Sequence, residues 1–530
     1  MLRYLASLLW MSVCAPLSLQ PRAMVPPPSA LAAFNASLEG TLVTPSDAGY
    51  GNASLEWNAR IAVSPYAVVF ASGEADVSLT LAFASLWSLR LALRSGRHQV
   101  EGWSACDGCL VLDVSSLTGL VVDAVTLTAT VGAGVTLGVL LNVTAPLGLH
   151  TPTGSCSSVG VAGYILGGGI GWTSRLYGLG VDNLLGARVV LANGSVVVAS
   201  GETGGMGAGS CLPPCASPQD LLWALSGGGG GNFGVVTSLT LALHPLPPRL
   251  LYAEFTFPWT VAPTASQAYL DLAYIDASFM FYCLFVRPSI MAEPLVLLQG
   301  IYLGDLSTGF TVLQPLVDLA AAANASGLAR SNISVTDYLT AHRLFEGPLG
   351  TRTSNKQKSA FVRQPAASML VRAPALDIIA RALLAAPADV ADNSAVCACL
   401  FEWHAGAGGG RILPRRILHT DNHPSALCYA LHPLPPTHPT QFSDLNALQH
   451  AIAVPASNAT SFVHRDATLN CVIDTHWLIN TTTPEALSWT RSLHTALADA
   501  GVLGPEQPLP TYVNYADAEL TEEAWPQVRV

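Results

Sequence analysis

Charge is scarce in this 530-residue chain: Asp, Glu, Lys and Arg make up 11% of it, and only Lys356 and Lys358 among its 24 basic residues are lysines. No basic patch offsets the formal net charge of −11, so neither nucleic acid nor an anionic lipid surface is an expected partner. Phosphate-binding signatures are missing too. There is no Gly-Lys-Ser/Thr loop and no Gly-X-Gly-X-X-Gly set between a strand and a helix. No His-Glu-X-X-His occurs, and Cys106-Asp-Gly-Cys109 and Cys211-Leu-Pro-Pro-Cys215 lack zinc-ribbon spacing, so no metal is expected. Half of the residues are hydrophobic, and residues 124–174 contain no charged side chain. That stretch is broken every few residues by Gly, Pro, Ser and Thr, which predicts buried strands and turns rather than a membrane helix of about 20 apolar residues.

The remaining composition points to the secretory route. Arg3 and the uncharged apolar run over residues 4–19 have the make-up of a signal peptide, with a signal anchor as the competing reading. Eight Asn-X-Ser/Thr sequons follow, at Asn35, Asn52, Asn142, Asn193, Asn324, Asn332, Asn458 and Asn480. Eleven cysteines suit an oxidising compartment without determining their pairing. For Cys106 and Cys109 a structural or unpaired role is favoured over thioredoxin-like chemistry, because the strand-to-helix setting is absent.

The length suggests two domains. After a Pro- and sequon-rich lead-in over residues 25–58, strands are expected at 61–63, 67–70, 111–114, 121–131 and 188–192, with a helix over 79–93. Asn193-Gly194 predicts a hairpin turn into residues 195–199. Ser217-Pro-Gln-Asp220 predicts a capped start for a helix over 218–225. Beyond residue 248, strands such as 250–257 alternate with helices near 317–323 and 376–385.

Two glycine runs, Gly167-Gly168-Gly169-Ile-Gly171 and residues 227–234, could bring backbone close to a ligand, with N–H groups suited to a pyrophosphate. Taken alone they fit tight turns better. They occur, however, within an ordered series: Asp76-Val, Arg94-Ser-Gly-Arg-His98, Glu101-Gly-Trp-Ser, Leu112-Asp-Val-Ser, Gly154-Ser-Cys156, Gly160-Val-Ala-Gly163, Tyr177-Gly, Asp182-Asn183 and Leu222-Trp-Ala-Leu. Over roughly residues 40–245 this series resembles the PCMH-type FAD-binding domain of the berberine-bridge-enzyme-like FAD-linked oxidases, in the vanillyl-alcohol-oxidase superfamily. Phe462-Val-His464-Arg465, Trp477 and Tyr512-Val-Asn-Tyr515-Ala-Asp517 continue the resemblance more thinly.

The resemblance implies a two-domain α+β flavoprotein oxidase. Its division is expected as a signal peptide at 1–24, an FAD-binding domain at 25–248, a substrate domain with an antiparallel sheet covered by helices at 249–487, and a C-terminal segment at 488–530 that returns to the FAD domain and looks shortened. It further implies FAD linked twice, through His98 to the 8α-methyl and through Cys156 to C6. Gly96, Gly167, Gly168, Gly169, Gly171, Asp182, Asn183 and Val236 fall where the family holds FAD, and Val159 falls where it governs access of oxygen, with ordinary β-branched packing an equal alternative. Hydride would pass from a substrate carbon to flavin N5. Tyr515 is the leading base, although an ordinary core role competes for it, and Tyr512 is a weaker orienting candidate. Dioxygen is the expected acceptor and hydrogen peroxide the co-product.

Three departures matter. Arg97 replaces the usual second glycine before the histidine, which would strain the turn or place a cation near phosphate. Val100 and Ile170 stand where plant members carry tyrosines. Asp474, Glu402 and His404 are further polar candidates, with surface or core roles favoured for the last two. The substrate is expected to be a sugar oxidised at its anomeric hydroxyl or a similar alcohol. A phenolic or alkaloid-like metabolite is the alternative, and a catalytically silent secreted glycoprotein of this fold is the rival from another class.

Overall fold

The computed structural model describes residues 25–201, 217–275, 277–287, 291–346, 354–362, 372–386, 398–403, 469–477 and 483–503. Its first part is built on two sheets. A four-stranded sheet runs in the order Thr41–Val43, Ala67–Phe70, Leu110–Asp113, Leu91–Arg94. The last three of these strands are parallel, and Ala67–Phe70 and Leu110–Asp113 are buried almost throughout, as a parallel layer covered on both faces requires. A five-stranded antiparallel sheet follows in the order Leu120–Asp123, Thr128–Gly132, Val235–Ala242, Leu184–Val190, Val196–Ser200. One apolar core, drawn from residues between Phe34 and Leu243, joins both sheets to the helices Glu74–Leu86, Leu137–Thr144, Val161–Leu166 and Pro218–Leu225.

The second part is a seven-stranded antiparallel sheet, ordered Arg330–Thr336, Leu250–Pro258, Leu295–Tyr302, Phe279–Val286, Ala398–Trp403, Leu469–Trp477, Ser354–Val362. Strand alternation separates its two faces. Leu251, Ala253, Phe255, Phe257, Phe281 and Phe285 point into a core shared with the helices Ala262–Ile275, Leu306–Ala322, Ala373–Leu384 and Thr483–Asp499. Leu250, Tyr252, Met280, Tyr282 and Ile301 point the other way and pack against Leu141 and Trp172 of the first part. The face not covered by those four helices is therefore the one that meets the first part. Two such layered units, one of mixed sheets and one antiparallel sheet backed by helices, make the α+β architecture.

Several local expectations change in the structure. The helix expected over 79–93 is Glu74–Leu86, and Leu91–Arg94 is instead a strand that inserts beside Leu110–Asp113. Residues 61–63 form no strand. The apolar run at 121–131 is two strands joined by a turn, in which Asp123 Oδ1 accepts from the Val125 and Thr126 amides. The uncharged stretch from 124 to 174 folds as short strands, turns and helices. Among the described residues no helix is long and apolar enough to cross a membrane. Residues 218–225 form the helix expected there, with Ser217 and Asp220 in a reciprocal capping box. Gly194, at φ 81°, makes the turn between Leu184–Val190 and Val196–Ser200. The Thr483–Asp499 helix runs across residue 487 and buries Ala486, Trp489, Leu493 and Leu497 in the second core, so any return to the first part lies beyond residue 503, outside the described residues.

Candidate functional site

The site is organised by the end of the Leu91–Arg94 strand. Arg94 is fully buried, and its guanidinium binds Asp113 at 2.7 Å, Glu56 at 3.1 Å and the Ala53 carbonyl. Burial pushes the Glu56 carboxyl up, opposed by its bonds to Ser104 and Arg94. This ion cluster anchors the turn that carries His98. Arg97 takes φ 63°, the left-handed conformation that costs a side-chain-bearing residue about 1–2 kcal/mol. Its guanidinium offsets part of that cost: it donates to the Asn52 carbonyl at 3.0 Å, pairs with Asp113 at 3.5 Å and sits 5.7 Å from the centre of the Phe70 ring. The cation thus turns back into the protein, and the glycine-like turn is kept.

The same turn meets the segment bearing Cys156. Gly96 and Gly160 touch backbone to backbone, so a Cβ built on Gly96 would lie 2.3 Å from the Gly160 nitrogen. His98 Nε2 lies 2.9 Å from Ser158 Oγ, two residues beyond Cys156, which is exposed. Trp57 stacks on the His98 ring at 4.7 Å and meets His476 of the seven-stranded sheet edge-on at 6.3 Å. Burial lowers the His98 imidazole to about 4, so it is neutral at physiological pH and keeps a nucleophilic nitrogen lone pair. A neutral imidazole and an exposed thiol on adjoining turns are the donor set that a doubly linked flavin needs. Val159 is half-buried, packs against the first core, and its carbonyl accepts the Leu137 amide at 2.9 Å.

The other residues predicted to hold FAD have their polar atoms turned to protein. Gly168 and Gly169 have φ of 119° and 76°, and carbonyls 168 and 169 accept the Val181 and Gly180 amides. Gly167 closes the Val161–Leu166 helix, and Gly171 approaches the Thr153 carbonyl so closely that a Cβ would lie 2.4 Å from it. Asp182 accepts the Leu179 amide at 2.8 Å. Asn183 donates to the Tyr177 and Leu179 carbonyls and lies 2.5 Å from His244 Nε2. Val236 is buried beside Val189. Val100 and Ile170 are buried. Tyr512, Tyr515, His404, His464, Arg465 and the Cys211 and Cys215 pair lie outside the described residues, whereas Cys106 and Cys109 are disulfide-bonded.

Sequence reasoning missed the contribution of the second unit. Trp172 stacks on Phe345 at 3.5 Å and packs on Tyr282 at 4.0 Å. Lys356 is buried and pairs with Glu101 at 2.9 Å, and Glu101 also takes Arg60 at 3.1 Å. The only available signal was the rarity of lysine. Glu402 pairs in backbone register with Tyr282, and register aligns Glu254, Gln299 and Tyr282 in one row across the sheet. Alternation puts that row on the face toward Trp172. Tyr252 OH donates to Glu254 at 2.9 Å and accepts from Gln299 at 2.8 Å, and burial pushes this phenol up to about 12. Asp474 pairs in backbone register with Gln357 and Ala398.

Residues 65–200 match the FAD binding domain family. The chain is 33% identical to an uncharacterised FAD-linked oxidoreductase, YvdP, of Bacillus subtilis over 53% of this chain and 59% of that protein. It is 36% identical to berberine bridge enzyme-like 2 of Arabidopsis thaliana over 37% of this chain and 34% of that one. The matched part thus spans less than two thirds of either relative. The fold resembles the structure of Physcomitrella patens BBE-like 1 with a TM-score of 0.70 and 20% identity, covering 94% of both chains. Joined to the ordered motifs and to the His98 and Cys156 turns that they bring together, these likenesses show an FAD-binding domain in a chain that is similar to FAD-linked oxidoreductases and has the fold of berberine-bridge-enzyme-like structures.

Proposed function

We propose that this protein is a secreted FAD-dependent oxidase that takes hydride from an alcohol carbon and passes the electrons to dioxygen, giving hydrogen peroxide. The observation that carries this reading is the meeting of the His98 and Cys156 turns, sealed by the Gly96–Gly160 contact and the 2.9 Å approach of His98 to Ser158. FAD, held through His98 and Cys156, supplies the two-electron chemistry. The chain's own residues bind, orient and move protons. With Nε2 engaged by Ser158, Nδ1 of the neutral His98 is the nitrogen we assign to the tether. Gly96, Gly167, Gly168, Gly169, Gly171, Asp182, Asn183 and Val236 shape the remainder of the cofactor cleft. Tyr515 is the proposed base for the substrate hydroxyl, Tyr512 orients the substrate, and Val159 leaves room for oxygen.

The polar row Glu254, Gln299 and Tyr282 favours a hydroxyl-rich substrate, because a face lined with donors and acceptors rewards sugar hydroxyls and penalises an apolar ring. An oxidisable anomeric hydroxyl of a sugar is therefore the preferred substrate class over a phenolic metabolite. Six of the eight sequon asparagines are described, Asn35, Asn52, Asn142, Asn193, Asn324 and Asn332, and all are exposed, which supports a secreted glycoprotein.

The test is the visible spectrum of protein made in a secretory host, acid-precipitated and washed. Flavin absorbance staying with the denatured chain, and lost only when both His98→Ala and Cys156→Ala are present, supports the reading. Folded but colourless wild-type protein would sink it in favour of a silent fold. On loaded enzyme, peroxide release across sugars and phenols ranks the substrate classes, and an unchanged rate in Tyr515→Phe removes that residue as the base.

A further inference from the structure

We propose that Glu346, on the second unit, is a positioning residue for the flavin tether at Cys156, so that the thioether forms only when the two units are docked. The inference rests on the doubly linked flavin proposed above. The segment around Cys156 is gripped from two sides. On the first unit, Leu137 and Gly138 open the Leu137–Thr144 helix, where amides have no partner within the helix. They donate instead to the Val159 and Ser157 carbonyls, each at 2.9 Å.

On the second unit, the Tyr338–Glu346 helix supplies the other grip. Glu346 accepts the Ser157 amide at 2.8 Å and the Ser157 hydroxyl at 2.6 Å, one carboxylate oxygen to each. His342 Nε2 donates to the Gly154 carbonyl at 3.0 Å. His342 and Glu346 are four residues apart and share one helix face. Between them they bracket Cys156, holding the chain two residues before it and one residue after it. The helix is itself fixed to the first unit by Phe345 on Trp172 and by Tyr338, whose ring lies 4.4 Å from that of His150. Docking of the second unit and placement of Cys156 are thus one event.

The bond in question forms between Cys156 sulfur and flavin C6, with loss of the thiol and C6 hydrogens. The two electrons and two protons so released reduce the ring, and dioxygen, the acceptor already proposed, removes them as hydrogen peroxide. Such a bond needs the sulfur held in line with one ring carbon, and an error near 1 Å costs a large factor in rate.

Wild-type, Glu346→Ala and Glu346→Gln proteins, made with flavin in a secretory host, are digested, and the flavin-bearing Cys156 and His98 peptides are quantified by mass spectrometry. We expect Glu346→Ala to lower the Cys156-linked fraction roughly tenfold while the His98-linked fraction stays, with the visible spectrum moving to that of a singly linked flavin. Glu346→Gln, which keeps an acceptor for one of the two Ser157 donors, should fall between. Cys156 occupancy equal to wild type in Glu346→Ala overturns the inference. So does a parallel loss at both peptides with a lowered melting temperature, since that marks a merely structural residue. If wild-type protein itself carries no flavin on Cys156, the tether reading fails, and this inference fails with it.

Discussion

Arg97 shows how one side chain can hold a backbone conformation that ordinarily belongs to glycine. Its left-handed φ of 63° is strained, and its contacts with Asn52, Asp113 and Phe70 repay part of the strain. Arg97→Ala keeps the strain and loses the contacts, whereas Arg97→Gly loses both. Denaturant unfolding should therefore find Arg97→Ala less stable than Arg97→Gly by about 1 kcal/mol. The reverse order would mean that the turn is unstrained.

His98 makes a pH prediction at the same scale. Unfolded, its imidazole protonates near 6.5; folded, burial holds it to about 4. Between those values the unfolded chain binds more protons, so acidification favours unfolding. His150, His244 and His342 are lowered by burial as well and carry the same sign. Flavin-free protein, produced under riboflavin starvation, should lose melting temperature as pH falls from about 6.5 to about 4, and His98→Gln should lose less over that window. Equal slopes would count against a half-buried, neutral His98.

Among elements, the edge strand Ser354–Val362 shows what propensity reading leaves out. Lys356 lies on it, buried and paired with Glu101 of the first unit, and that partner is distant in sequence. Removing one member of a buried pair leaves the other uncompensated; Arg60 remains with Glu101, so Lys356→Met should cost about 3 kcal/mol, the lower end for such a loss. Thermal unfolding checks this, and a loss below about 1 kcal/mol would place the pair with ordinary surface bridges. Elements with strong local signals were legible: the Ser217-Pro-Gln-Asp220 cap and the Asn193-Gly194 turn carry their own chemistry. Leu91–Arg94 was not. Leu-Ala-Leu-Arg suits a helix, and only the neighbouring Leu110–Asp113 strand draws it into a sheet.

For the whole molecule, the decisive surface is the face of the seven-stranded sheet turned toward the first unit. Trp172 is nearly fully buried there, between Tyr282 and Phe345. Trp172→Ala should cost about 3–5 kcal/mol and split a single calorimetric transition into two, because the units then lose their shared core. Trp172→Phe keeps the ring contacts and should cost less than half as much. A single transition in both variants would show that other contacts suffice to couple the units.

The sequence by itself pointed to the FAD-binding region, which the match over residues 65–200 supports, and offered His98 and Cys156 as the proposed tethers. Those rest on short motifs whose glycines, histidine and cysteine are required by local geometry and chemistry, wherever the rest of the chain goes. It also showed that the uncharged stretch over 124–174 is no membrane helix, since turn residues interrupt it throughout. Tertiary structure alone decided that Ser158, and not some distant group, meets His98. It alone brought Glu346 and His342 to either side of Cys156, and gave one of two lysines a buried partner. Those contacts span from 60 to 255 residues of chain, and at such separations the partner is chosen by how two sheets and a helix pack, which no local pattern records.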